Sequence, residues 1–173
     1  DETIGDIALP VPGEHNVRNS LAAVVAAREL GVPFEEIRKG LASFSGVDRR
    51  FQICGTVNGV TIVDDYAHHP TALRETIRTA RHGWNEGRIV VLFQPHLYSR
   101  TRDFQKEFAE ALMECDVVVI SDIYPSREQP MPGITSDLIA NHARAFGHKH
   151  VIRVAALSDA TEALKSELRS GDL

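Results

Sequence analysis

From residue 60 onward, short apolar runs alternate with longer segments whose apolar residues recur every three or four positions. Runs such as Ile89-Val90-Val91-Leu92-Phe93 and Val117-Val118-Val119-Ile120 carry no polar face, as expected of strands covered by helices on both sides. Strand and helix in strict turn predict an α/β fold with a mostly parallel, doubly wound sheet. The spacing places helices over 70–81, 102–113, 136–146 and 159–168, and strands over 88–93, 116–121 and 150–154. A β-hairpin precedes them. Its strands, 51–57 and 60–64, are joined by Asn58-Gly59, the pair that best tolerates the positive φ angles of a type I′ turn.

The first 47 residues read differently. Residues 16–30 carry helical periodicity that stops at Gly31, and 34–44 give a second short helix before the linker Ser45-Gly46-Val47-Asp48. A domain boundary near Val47 therefore divides a helical unit, 1–47, from an α/β unit, 48–173. The chain opens on Asp1 without a signal-peptide pattern, and Leu173 follows a turn as if beginning a strand, so both ends read as lying inside a longer protein. No apolar run approaches the roughly 20 residues that span a membrane. A net charge of -5 argues against a surface for nucleic acid. Cys54 and Cys115, each in or beside an apolar stretch, read as reduced core thiols of a cytoplasmic protein.

In sheets of this kind ligands bind beyond the carboxyl ends of the strands, and the polar residues collect there. The strand ending at Val63 delivers Asp64, Asp65, Tyr66, His68 and His69. The strand ending at Phe93 delivers Gln94, His96, Tyr98 and Arg100, and the strand ending at Ile120 delivers Asp122 and Tyr124. Pro70 suits the first turn of a helix, so the Asp64–His69 loop is pinned between strand and helix. Mixed His and Asp invite a metal reading, yet the spacing matches no zinc pattern. Recognition of a ribose or carboxylate fits the residue types better, with Asp65 accepting from hydroxyls and a histidine donating to an anion. A hydrated loop with Asp64 bonded to nearby backbone is the simpler alternative.

Three further segments offer ligand contacts. Asn16 and Asn19 lie three apart on one helical face, where paired amides offer donors and acceptors to a purine edge; Asn16 alone also suits a helix cap. Arg49-Arg50, between the two units, suits a ligand in the cleft or a solvated linker. Arg100 and Arg102, with Tyr98 and Ser99, sit at a helix start that already favours anions. The chain contains no Gly-x-x-x-x-Gly-Lys-Ser/Thr loop, so any phosphate cradle lies elsewhere.

Taken in order, GEHNVRNSLAA, GVDRRFQ, DDYAHHPT and FQPHLYSRTRDF resemble the ATP-dependent Mur ligases, and within them the members that add L-alanine to UDP-N-acetylmuramate. The resemblance implies the end of a central ATPase domain over 1–47 and a Rossmann-like C-terminal domain over 48–173. The N-terminal and remaining central domains would belong to the same protein. It implies amide-bond formation through an acyl phosphate in peptidoglycan precursor synthesis, with ATP and Mg2+ as cofactors, the metal ligands outside these residues, and the chain inactive by itself. His15, Asn16, Asn19, Arg50 and Asp65 would then bind the nucleotide. Tyr66, His68, His96 and Arg100 would line the amino-acid and acyl-phosphate region, with His68, His96 and Arg100 catalytic. Leu97 departs from the family, many members of which carry arginine there, leaving Arg100 or Arg102 to supply that contact. The alternatives are a peptide-recycling UDP-N-acetylmuramate ligase and a non-catalytic nucleotide- or anion-binding module.

Overall fold

The computed structural model describes residues 3–84 and 86–173. Two helices come first, α1 (Glu14–Glu29) and α2 (Phe34–Ala42). Helix α1 begins two residues before the periodicity suggests, because Gly13 takes the turn into it at φ 102. A side chain at Gly13 would also meet the His15 ring 2.6 Å away. The capping alternative for Asn16 fails: it lies inside the first turn, and its Nδ2 donates backwards to the Pro12 carbonyl at 2.6 Å.

Strands β1 (Gln52–Val57) and β2 (Val60–Asp64) form the expected antiparallel hairpin, with Asn58 and Gly59 at φ 51 and 81. Next come α3 (Pro70–Gly83), β3 (Val90–Phe93), α4 (Tyr98–Leu112), β4 (Val117–Ile120), α5 (Asp137–Ala145), β5 (Val151–Arg153) and α6 (Ala160–Glu167). A single 3-10 turn, Leu157–Asp159, leads into α6. Strands β3, β4 and β5 pair in parallel in that order. Helices α4 and α5 pack side by side, and α3 packs against α4. Central β4 is at most 1% exposed throughout, and α6 packs against it as well. Phe108, Leu112 and Ile139 complete the core around it.

The α/β class and the parallel order are as the alternation predicts, but β2 is not a member of the parallel sheet. The hairpin is a separate two-stranded sheet. Its outer strand is exposed along its whole length, which puts Cys54 at the surface and corrects its assignment to the core. The two sheets are tied by the last residues of the chain. Gly171 N–H donates to the Gly59 carbonyl and Thr61 N–H to that of Asp172; on the other side Leu173 N–H donates to Arg88 and Val90 N–H to Leu173. The terminal segment thus runs parallel to both strands. Beyond them β2 and β3 face each other across an open groove.

Candidate active site

Helix α3 starts where Pro70 predicts, with His69 as its cap: Nδ1 accepts from Thr71 N–H at 3.4 Å. This fixes the loop before it. Asp65 is held from both sides, accepting Ala67 N–H at 2.7 Å and Phe51 N–H at 2.8 Å. Phe51 and Arg49 both adopt positive φ (48 and 59), a conformation that L side chains rarely take, so Asp65 clamps a strained linker. Arg49 closes the clamp: its carbonyl accepts Tyr66 N–H at 2.7 Å, and its guanidinium lies 4.8 Å over the Tyr66 ring and 3.2 Å from Asp64.

At the strand ends, Tyr66, His68, His96 and Tyr124 form a row of rings with successive centroids 4.7, 6.0 and 5.7 Å apart. The hydrogen bonds fix both histidine tautomers. His68 Nδ1 lies 2.8 Å from the Tyr66 carbonyl, which only accepts, so Nδ1 carries the proton and the neutral ring keeps Nε2 as an acceptor. His96 Nδ1 lies 3.1 Å from Arg100 Nη1, which only donates, so His96 is neutral with its proton on Nε2. Burial, then the Arg100 charge and the neighbouring His68, hold the His96 pKa below its ordinary value, while Glu128 opposes them. The pair thus presents an acceptor and a donor to one cavity of about 840 Å³ that also takes in the groove between the sheets.

A second cavity, about 860 Å³, lies between α1, the linker and α3. It gathers all five residues assigned to the nucleotide: His15, Asn16, Asn19, Arg50 and Asp65. His15 Nδ1 is buried without a hydrogen-bond partner among the described residues. Asp65 lines both cavities and marks where they meet.

Helix α4 starts at Tyr98, four residues before the spacing suggests, and its N-terminus is not open to an anion. Ser99 N–H donates to Glu128 at 2.9 Å, and Ser99 Oγ donates to the same carboxylate. Arg102 pairs with Asp103 at the surface, so of the two arginines only Arg100 stands beside His96. Leu97, at φ 74, is the residue before the helix and makes no side-chain cap. The sequence reading missed Glu128, and it listed Tyr124 without assigning it to the site. The Tyr124 signal was its place at a strand end; nothing marked Glu128, 29 residues from its partner. Among the described residues no three His, Cys, Asp or Glu side chains group to hold a metal ion.

The family model described as Mur ligase, glutamate ligase domain, matches residues 49–173. The UDP-N-acetylmuramate–L-alanine ligases of Trichlorobacter lovleyi and Salinibacter ruber are 44% and 45% identical over 98% and 99% of the chain. The chain spans only 37% and 36% of their lengths. Among solved structures, the UDP-N-acetylmuramate–alanine ligase of Thermotoga maritima superimposes with a TM-score of 0.78 at 30% identity, covering 96% of this chain and 34% of that one. A murein peptide ligase from Psychrobacter arcticus gives 0.69 at 25% identity, covering 96% and 34%.

Proposed function

The chain belongs to the Mur ligase family, and on that premise we propose that it is the closing part of a cytoplasmic, ATP-dependent ligase joining L-alanine to UDP-N-acetylmuramate. Residues 1–47 are then the end of the central ATPase domain and 48–173 the C-terminal domain. The observation that carries the reading is the pair of complementary imidazoles, His68 accepting and His96 donating with ring centroids 6.0 Å apart, next to a cleft of about 860 Å³ that shares Asp65.

The reaction divides between the two cavities. In the α1 cleft Asn16 and Asn19 present amides to the adenine with His15 beside them, and Arg50 and Asp65 flank the ribose. ATP phosphorylates the substrate carboxylate, releasing ADP. Mg2+ would offset the charge of the phosphates, and its ligands would lie outside these residues. At the strand ends the amino group of L-alanine attacks the acyl carbon, and the C–O bond to phosphate breaks. His68 Nε2 is the acceptor for the proton that the amine loses. His96 Nε2–H and Tyr66 orient the amino acid. Arg100, a fixed cation, offsets charge on the tetrahedral intermediate without reorganising.

The test is to assay the full-length gene product for ADP release with UDP-N-acetylmuramate and either L-alanine or the peptide L-Ala-D-Glu-meso-diaminopimelate. Turnover with L-alanine is expected, with His68→Ala lowering kcat by about 100-fold. Turnover with the peptide alone assigns a recycling ligase, and turnover with neither leaves a binding module. Residues 1–173 by themselves are expected to release no ADP.

A further inference from the structure

Helix α4 carries His96 and Arg100 at its entrance, yet nothing in its own sequence caps it. Leu97 precedes it in a left-handed conformation and offers no side-chain acceptor. The cap comes from the connection between β4 and α5. There Glu128 accepts from both the backbone and hydroxyl of Ser99, and these two bonds, the hydroxyl first, hold its carboxyl below the usual range. The same connection grips the other side of His96. Tyr124 N–H donates to the Pro95 carbonyl at 2.8 Å, Leu97 N–H donates to the Tyr124 carbonyl at 2.9 Å, and the Tyr124 ring stacks on His96.

We propose that Glu128 is a positioning residue of this site: by capping α4 through Ser99 it fixes the aim of His96 and Arg100. The inference rests on reading those two side chains as substrate-facing. Glu128 fills the anion seat at the head of α4, so substrate is met by the His96 and Arg100 side chains rather than by the helix N–H groups.

The experiment compares Glu128→Ala and Glu128→Gln. In residues 1–173, NMR should show faster amide exchange at Ser99 in E128A and near-normal exchange in E128Q, whose carbonyl oxygen still accepts. The charged and titratable groups facing His96 are Arg100 from α4, His68 from the loop after β2, and Glu128 and Tyr124 from the β4–α5 connection. Glu128 alone among the first three raises the His96 pKa, so both variants should shift its titration to lower pH. In the full-length enzyme E128A should lose about 10- to 100-fold in kcat with the KM for ATP unchanged, and E128Q should recover most of it. Wild-type Ser99 exchange and His96 titration in folded E128A would overturn the proposal. Should E128A not fold, Ser99→Ala removes one bond of the cap and should produce the same changes at smaller size; no change there also overturns it. An NMR response in a protein without ligase activity keeps the clamp and rejects the ligase.

Discussion

The two cysteines show how far one residue's setting can depart from its neighbours in sequence. Cys115 is 6% exposed, its Sγ donates to the Leu112 carbonyl at 3.1 Å, and burial pushes the thiol up to about 12. Cys54 stands on the solvent side of a strand that is exposed throughout. Thiolate is the reactive form, so the folded chain should present one fast thiol to DTNB and a second only in denaturant. Equal rates for both in native buffer would contradict the burial of Cys115. The local pattern around Cys54, an Ile before and a Val three residues after, is that of a half-buried strand. What it lacks is any sign that the outer strand of the hairpin packs on nothing.

Elements were legible where their own residues define them and obscure where a distant residue does. Pro70 and His69 mark the start of α3 from within, and the observed helix begins there. The start of α4 was missed because its cap belongs to another connection, and the end of β2 was grouped with the ends of the parallel strands although the hairpin is a sheet of its own. The positions gathered in the α1 cleft were named from motif resemblance; spacing alone left Asn16 open between cap and ligand contact. The hairpin turn itself was plain from Asn58-Gly59, and it carries a tertiary constraint that the pair does not announce. A Cβ on Gly59 would fall on the Ser170 hydroxyl, and φ 81 is already costly for alanine. Gly59→Ala should therefore destabilise the chain by more than about 1 kcal/mol, read as a lower urea midpoint. Asn58→Gly, at φ 51, should change it by only a few tenths. Equal effects would mean that the turn does not press on the chain's final residues.

On the scale of the whole molecule, the proposed site straddles two sheets that share no direct ladder. Asp65, Tyr66 and His68 leave the hairpin, whereas His96 and Arg100 follow β3. Residues 171–173 bond to both sheets, and the Arg88–Asp172 ion pair lies beneath them. Asp172 is 3% exposed; burial alone would raise its carboxyl, but the Arg88 guanidinium at 2.7 Å and the Arg169 N–H outweigh it and hold the pKa low. Arg88 also donates to the Glu167 carbonyl, anchoring the end of α6. Arg88→Ala would leave a buried carboxylate without its counter-charge, a loss of about 3 kcal/mol, detectable as a lower urea midpoint. Lowering the pH should weaken the wild type by the same route. The Asp172 pKa is depressed in the folded state, so its contribution is complete above the unfolded value of about 3.9 and is lost as pH falls through the lower folded one. If the pair also sets the distance between the sheets, R88A should broaden the His68 and His96 ring signals while leaving those of His148 in the core unchanged. Sharp, unshifted His68 and His96 signals in a destabilised variant would show that the pair supports stability alone, and that the groove-lining strands hold their separation without it.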